Sequence, residues 1–241
     1  MKRVFNRIFL AGLILCSAAT DVAVAQTAEQ KPAAPAPVVR FRPPTGGATS
    51  VRVTGGSRGT GADVVVLDVL APDQIGTTTQ EQPSLFWYQS KPANARFELT
   101  LLQDNKVKPL VQVQIERAAA AGIQRLKLSD HGAKLVPGVE YQWVVALVTD
   151  ADNRSKDLVA SGVIKRIEPT AELKEKLSKA DPAALAGIYA DSGIWYDALA
   201  AVSDRIDADP KNEALWKARS DLLSQVGLKA AALAGGPTKK E

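Results

Sequence analysis

Apolar residues recur at two different spacings along this chain, and the change of spacing divides it into two parts. In the first part they alternate with polar residues in short runs, as in residues 97–101 and 111–115. Alternation with a period of two is the pattern of strands that bury one face. After Pro169 the spacing becomes three to four residues, which is that of amphipathic helices. The pattern predicts a β-rich domain over residues 50–167 and a helical unit over residues 168–228.

The predicted strands of the first part follow one another at intervals of about 8–12 residues, with turn residues between them. They are residues 85–88, 97–102, 110–115, 123–128, 141–148 and 159–167. This spacing is typical of an antiparallel sandwich. Trp87 and Tyr88 are consecutive in one strand and therefore point to opposite faces. One of them should be exposed or covered by another element, and the helical unit is the obvious cover.

Four helices are predicted in the second part, each bounded by residues that favour helix ends. These boundary residues are Thr170, Asp181-Pro182, Gly193, Pro210, Asn212 and Gly227. The stretch from Ile188 to Val202 carries apolar and aromatic residues on both sides of Gly193. It predicts two helices joined at a tight corner that should dock on the sandwich near Trp87 or Tyr88.

One motif in the first part resembles a known sandwich family. The segment from Leu135 to Tyr141 is similar to the tyrosine corner of fibronectin type III domains, where a tyrosine early in a late strand bonds back to upstream backbone. Trp87 stands where such sandwiches place a core aromatic residue. The resemblance covers about residues 62–167 and implies an α+β protein whose first domain is an antiparallel immunoglobulin/fibronectin-like β-sandwich.

The helical part resembles a tetratricopeptide repeat. The small, aromatic and proline positions of that repeat are matched by Ala186, Tyr189, Gly193, Ala198 and Pro210. Gly227 lies 34 residues after Gly193, which is one repeat length. Arg205 and Ser220 depart from the small residues that are usual there. Because the match spans about one and a half repeats and a solenoid needs about three, its apolar surface should pack on the sandwich or on a second copy.

Four segments, residues 55–59, 83–88, 138–143 and 193–198, carry a wider resemblance. With them the chain resembles an uncharacterised family of secreted bacterial proteins known only by a domain-of-unknown-function label, numbered 928. The resemblance covers roughly residues 40–228. It implies secretion and this architecture, and it carries no established activity or catalytic residues.

Residues 1–25 have the composition of a signal peptide. Basic residues at positions 2, 3 and 7 precede an apolar run, and Ala23-Val24-Ala25 supplies the small-x-small pattern of a cleavage site before Gln26. The run is shorter than the roughly 20 apolar residues of a membrane-spanning helix. An uncleaved anchor is the alternative. We expect a periplasmic or secreted protein with no stable membrane insertion after cleavage.

Cleavage changes the charge and the cysteine content. It removes three of 30 basic and one of 26 acidic residues, which leaves 27 against 25 and a net charge of +2 rather than +4. This balance, without a basic cluster, predicts no nucleic-acid partner. Cys16, the one cysteine, is also removed, so the core rather than disulfides must stabilise the fold. Residues 26–49 form a predicted Pro/Ala-rich linker, with residues 40–42 as its first ordered segment, and residues 229–241 form a predicted flexible tail.

A glycine-rich segment, residues 54–61, resembles the cofactor loop of short-chain dehydrogenases. A phosphate site of that kind needs a helix directly after the glycines. Residues 62–70 are instead a β-branched run, and the chain has no Tyr-x-x-x-Lys pair. The segment therefore predicts a turn or bulge and no cofactor. Arg58 within it is a candidate for a surface salt bridge or, less favoured, an anion site.

Other patterns predict neither catalytic residues nor metal ligands. His131, the one histidine, falls in a loop and is expected to be solvated. Residues 150–153 begin like a calcium loop but lack its later ligands, which favours a polar turn. The mature chain also lacks the nitrogen and sulfur donors of a zinc site. Asp191 and Asp197 are a carboxylate pair of the kind that glycosidases use, although Asp197 is more simply explained by the helix dipole.

Three functions remain open from the sequence. The favoured one is a non-enzymatic envelope or periplasmic binding or scaffold protein with a protein or peptide partner, an inference from fold analogy. The alternatives are a glycan- or ligand-binding accessory of an envelope signalling system and a carboxylate-based hydrolase. The candidate binding surface comprises Arg58, Tyr88, Tyr196 and Asp197. Burial of the aromatic residues at positions 87, 88, 195 and 196 would remove the stacking platform that a glycan needs.

Overall fold

A computed structural model describes residues 39–44, 51–56, 65–93, 95–103, 106–115, 120–234 and 236. Within them lie nine strands: β1 Gly55–Gly56, β2 Val66–Val69, β3 Gly76–Thr78, β4 Ser84–Gln89, β5 Arg96–Gln103, β6 Val111–Ile115, β7 Gly122–Lys127, β8 Glu140–Val148 and β9 Leu158–Arg166. The α-helices of the same residues are α1 Ala171–Lys179, α2 Leu185–Asp191, α3 Trp195–Ala208, α4 Glu213–Gln225 and α5 Lys229–Ala234. Short 3₁₀ helices span Leu128–His131 and Arg154–Lys156. The predicted signal peptide and Arg58 lie outside the described residues.

The strands form two sheets, so the predicted mixed α+β class is confirmed. One sheet has the order β1-β2-β4-β7 and is antiparallel throughout. The other has the order β3-β9-β8-β5-β6 and is antiparallel except for β3, which runs parallel to β9. The alternation of apolar and polar residues determines which face of each strand is buried. In β5, for example, Phe97, Leu99 and Leu101 share one face and are all fully buried.

The two sheets meet through large side chains from β4, β5 and β8. The rings of Trp87 and Phe97 lie with centroids 6.2 Å apart. Trp143 is opposite Gly162 in the β8–β9 pair. A Cβ at Gly162 would lie only 2.8 Å from the Cβ of Ala71. This close approach requires glycine and lets the indole of Trp143 fit between the sheets.

The helical unit packs against both sheets, at β3 of one and at β4 and β7 of the other. Because Trp87 faces inward, Phe86 and Tyr88 share the opposite face. Helix α3 packs against β4 and α5 against β7, and Tyr88 is 6% exposed. Helix α3 thus packs against β4, the strand that carries Trp87 and Tyr88.

The bond expected at the start of β8 is present. The hydroxyl of Tyr141 accepts a hydrogen bond from the backbone N–H of Val136 at 3.1 Å. Tyr141 itself is buried. A local contact over five residues thus ties the loop before β8 to the strand.

Thr170 and Gly193 mark helix boundaries as expected, whereas the helix expected to start at Asp181-Pro182 begins three residues after Pro182. The hydroxyl of Thr170 accepts from the N–H of Leu173 at 3.2 Å, as an N-cap does. The carboxylate of Asp181 accepts from Ala183 N–H at 2.7 Å, but a turn follows and α2 begins only at Leu185. Gly193 has φ of +76° and turns the chain from α2 into α3.

Both ends of the described chain pack on the helices. Phe41 is buried with its ring centroid 5.0 Å from that of Trp195, which confirms residues 40–42 as an ordered segment. The prediction of a flexible tail is wrong for residues 229–234, which form α5. Leu228, Ala231 and Ala232 are buried there because they recur at helical spacing and present one apolar face.

No helix among the described residues is long and apolar enough to cross a membrane.

Candidate functional site

An open cleft of about 410 Å³ lies between the sandwich and the helical unit. One wall is the segment that connects β3 to β4, together with Arg125 of β7. The other wall is made by α2 and one face of α3. The polar residues that line the cleft are Gln80, Gln82, Ser84, Arg125, Tyr189, Asp197, Asp204 and Arg205. On α3 the lining positions 197, 200, 201, 204 and 205 recur at three to four residues, so they form one stripe of the helix.

Asp197 borders the cleft from a buried position. Its Oδ1 accepts a hydrogen bond from the hydroxyl of Thr78, and its Oδ2 accepts from the N–H of Thr79 at 2.9 Å and from the Thr79 hydroxyl. Burial raises the pKa of Asp197, and these hydrogen bonds lower it by less. The residue lies in the first turn of α3, so the helix dipole also favours its negative charge. Its carboxylate fastens α3 to the end of β3.

The two residues before Asp197 extend this attachment into the sandwich. The indole N–H of Trp195 donates to the carbonyl of Leu70 at 2.8 Å. The hydroxyl of Tyr196 accepts from the Trp143 indole N–H at 2.8 Å and donates to the Val163 carbonyl at 3.2 Å. Burial raises the pKa of Tyr196, so the hydroxyl keeps the proton that it donates. All of these polar groups are therefore paired although they are buried.

Arg125 links the two walls at the rim of the cleft. Its Nε donates to the Ser84 hydroxyl at 2.9 Å, and its Nη1 lies 2.5 Å from Asp204 Oδ1 and 3.5 Å from Asp207 Oδ2. The guanidinium carbon stands 5.1 Å from the centroid of the Phe86 ring. The side chains of Asp204 and Asp207 are largely exposed, so this ion pair is formed in a solvated setting.

Arg205 occupies the cleft wall next to Asp204 in the sequence. Its Nη1 donates to the carbonyl of Ala183 at 3.3 Å. Among the ion pairs that the described residues form, none includes Arg205. Tyr189 of α2 is half-buried in the same cleft, and burial, followed by the charge of Asp197, raises its pKa.

The aromatic residues proposed as stacking platforms are buried. Trp87, Tyr88, Trp195 and Tyr196 are all less than 9% exposed, so Tyr88 and Tyr196 offer no face to a sugar and must be withdrawn as surface residues. Asp197 borders the cleft, but with its carboxylate taken up by threonines rather than presented to solvent. Trp195, Tyr196 and Asp197 are buried because the first turn of α3 docks on the sandwich, whereas Trp87 is buried against Phe97 between the sheets.

The carboxylate pair expected for a hydrolase is not assembled from Asp191 and Asp197. Asp191 is exposed and pairs with Arg42 at 2.7 Å, away from the cleft lining. Asp204 shares the cleft with Asp197 instead. The two are seven residues apart on one helix, or about 10 Å along its axis, and each carboxylate is already bound by protein groups.

The other polar residues considered from the sequence are those of the turn at residues 150–153 and His131. Asp150 accepts from the N–H of Asp152 and pairs with Lys156 at 2.8 Å, as a polar turn should. His131 is exposed at the edge of a more open hollow beside β6 and β7. No group of three or more metal-binding side chains is present in the part of the chain that the structure describes.

Sequence reasoning missed Arg125, Tyr189 and Arg205 as cleft residues. Two of these residues nevertheless occupy positions of the tetratricopeptide-like pattern. Tyr189 matched the aromatic position of the repeat, and Arg205 departed from the small residue expected there. At this position a repeat usually has a small residue that packs against the next helix. A side chain as large as that of Arg205 does not fit such a contact, so it indicates that this face of the helix is not covered. Arg125 gave no such signal, since its partners lie 79 and 82 residues away.

The described residues form two stacked sheets and a helical unit that contacts both of them, and a polar cleft lies between the sheets and the helices. A model of the family Domain of Unknown Function (DUF928) matches residues 53–235. The chain belongs to this family, which confirms the resemblance found from its segments. A comparison with curated proteins finds no match.

Proposed function

We propose that this protein is a non-enzymatic binding or scaffold protein of the bacterial envelope, and that it holds a segment of a partner protein in the cleft. The observation that carries the proposal is the cleft itself. Both parts of the fold contribute to it, and its lining mixes apolar surface with several polar groups. Sites of this composition are the usual ones for ligand recognition.

The rigidity of one wall supports a binding role. The first turn of α3 is fastened to the sandwich through Trp195, Tyr196 and Asp197. A wall held in this way does not have to be ordered when a partner arrives, so less binding free energy is lost. The lining residues at positions 200, 201, 204 and 205 project from the next turns of the same helix.

The strand order supports a more specific fold proposal. Strands β2, β4 and β7 stand in the order of A, B and E of an immunoglobulin-type sandwich, and β9, β8, β5 and β6 in the order G, F, C and C′. The Tyr141 bond to Val136 lies at the start of the strand equivalent to F. We propose an immunoglobulin-like sandwich with a tetratricopeptide-like helical unit. Folds of both kinds bind peptides in other proteins, which is an argument by analogy.

The envelope location rests on the sequence. Basic residues, an apolar run and a small-x-small site open the chain. The one cysteine falls within that segment, as suits a mature protein in an oxidising compartment.

Site-specific photocrosslinking in living cells tests the proposal. A benzoylphenylalanine replaces Gln80, which is exposed and lines the cleft, or Gln112, which is exposed on β6 outside it. The proposal expects a discrete protein adduct from position 80 and none of that size from position 112. Equal adducts from both positions, or none from position 80 at native expression, would contradict it.

A blocking variant sharpens the same experiment. Ala201 is half-exposed on the cleft face of α3, and Ala214 is half-exposed on α4 outside the lining. Ala201→Trp should abolish the adduct from position 80, whereas the matched Ala214→Trp should leave it intact. If Ala201→Trp leaves the adduct unchanged, the partner does not enter the cleft.

A further inference from the structure

The charged groups that line the cleft are unequally engaged. Asp204 is held by Arg125 at 2.5 Å. Asp197 is buried and surrounded by the donors of Thr78 and Thr79. Arg205, among the described residues, donates to one backbone carbonyl, that of Ala183, at 3.3 Å. Of the two cations that line the cleft, Arg125 is in an ion pair, and Arg205 is in none of the ion pairs that the described residues form.

The remaining donors of Arg205 suit a particular ligand group. A guanidinium carries five N–H donors in a planar fork, and one carbonyl engages only one of them. A carboxylate accepts two of these donors at once, which makes the contact stronger and more directional than a single hydrogen bond. The contact with the Ala183 carbonyl restrains the fork, so a ligand would lose less entropy in binding it.

The cleft that Arg205 lines also has an apolar part. It is formed by the side chains of Pro83, Pro182, Leu185, Ala200 and Ala201. These groups are small or rigid and leave room for a short aliphatic or aromatic group. A cleft of about 410 Å³ lies in the usual size range of small-ligand sites.

The geometry points to a ligand that carries a carboxylate on a compact apolar group, with Arg205 as the partner of the carboxylate. This assignment rests on the proposed binding role of the cleft and names the chemistry it selects. Both the carboxyl-terminal residue of a polypeptide and a free apolar organic acid have this chemistry. Asp204 opposes a second negative charge, so a monocarboxylate is favoured over a dicarboxylate.

Binding of a matched pair of small compounds to the purified mature protein tests the inference. N-acetyl-leucine carries the carboxylate, and N-acetyl-leucinamide replaces it with a neutral amide of almost the same shape. Isothermal titration or backbone NMR shifts should show binding of the acid and about tenfold or weaker binding of the amide, because a charge-assisted hydrogen bond is lost. Equal affinity for the two compounds would overturn the inference.

Three variants assign the preference to Arg205. Arg205→Gln should remove the difference between acid and amide, and Arg205→Lys should keep part of it because the charge remains. Arg40→Gln is the matched control, since Arg40 is exposed and lies outside the cleft lining. Thermal unfolding of each variant checks that the fold is retained. An unchanged preference for the acid in folded Arg205→Gln would rule out this residue as the partner.

A peptide pair distinguishes the two sources of the carboxylate. Acetyl-Ala-Ala-Leu with a free carboxyl terminus should bind more tightly than N-acetyl-leucine if a polypeptide end is the natural ligand, and no more tightly if a free acid is. The result is also separable from the crosslinking test. If the protein binds the acid but gives no crosslinked partner, the carboxylate site stands and the scaffold role is rejected. If it gives an adduct but does not prefer the acid to the amide, the scaffold role stands and the carboxylate site is rejected.

Discussion

The two halves of α3 contact the sandwich in different ways. In its first turn, Trp195, Tyr196 and Asp197 are at most 3% exposed, and their polar atoms bond to sandwich residues. Two turns later, Asp204 and Asp207 have largely exposed side chains and form ion pairs with Arg125. Buried groups are costly to leave unpaired, whereas exposed ion pairs contribute little. The first half therefore fixes the helix, and the second half supplies groups that a ligand can rearrange.

This difference explains how one helix can be both an anchor and a binding wall. The stripe from Asp197 to Arg205 runs from the fastened end to the open end of the cleft. If the anchor sets the position of α3, changes in the first turn should lower the stability of the whole protein. Changes at the exposed Asp204 and Asp207 should affect stability little.

The largest effect is expected from Trp195→Ala. The side chain is fully buried and packs against Phe41, so its removal should lower the free energy of unfolding by about 3–5 kcal/mol. Trp216→Ala is the matched control, because Trp216 is a half-buried tryptophan on α4. Denaturant titration of both should show a clearly smaller loss for Trp216→Ala. Equal losses would mean that the first turn of α3 is not a special anchor.

Tyr196→Phe should have the next largest effect. It leaves the Trp143 indole N–H and the Val163 carbonyl without their partner inside the protein, at a cost of about 1–3 kcal/mol. Tyr88→Phe removes the hydroxyl of another buried tyrosine on the outer face of β4 and should cost less. Thermal unfolding at one pH measures both. A larger loss for Tyr88→Phe would reverse the expected order.

Asp197→Asn should change the pH dependence of stability. Burial raises the folded-state pKa of Asp197 above its ordinary value of 3.8, so the folded state binds this proton more tightly than the unfolded state. Through this group, stability is fully present below 3.8 and is lost as the pH rises through the raised pKa. Relative to Asp197→Asn, the wild-type protein should therefore gain stability as the pH falls towards 3.8. Denaturant titrations between pH 7 and 4 measure the difference, and a flat or opposite trend would contradict the buried setting.

Asp204→Asn should have the smallest effect on stability. The ion pair with Arg125 is exposed on the Asp204 side, and such pairs are worth about 0–1 kcal/mol. The substitution also removes a negative charge from the cleft lining, so the same variant should bind the anion N-acetyl-leucine more tightly than the wild-type protein. Titration calorimetry checks the binding. Large destabilisation by Asp204→Asn would show that the rim is part of the anchor after all.

Local sequence patterns predicted most of the elements. Alternation placed the strands around residues 85–88, 97–102 and 141–148, and Thr170 and Gly193 marked real helix boundaries. These features depend on neighbours within a few residues. The tail was mispredicted because three small apolar residues near Ala231 give a weak helical signal until α4 and β7 are there to cover them.

The cleft could not be predicted because its contacts are distant in sequence. Thr78 and Thr79 meet Asp197 across 119 and 118 residues. The residues next to Asp197 in the sequence are the same whether its carboxylate is exposed at the start of a helix or buried against two threonines. The sequence alone therefore cannot tell these two settings apart. Tyr196 appeared to lack a core role for the same reason, since its partner Trp143 lies 53 residues earlier.

The central claim is that the first turn of α3 makes the sandwich and the helical unit unfold as one. Native-state hydrogen exchange at increasing denaturant tests it most directly, because it reports the opening free energy of each segment. The backbone amides of α3 and those of β8 should reach the same opening free energy and the same denaturant dependence. If the amides of α3 exchange through a separate opening of lower free energy while β8 stays protected, the helical unit is not fixed to the sandwich and the wall of the cleft is not preformed.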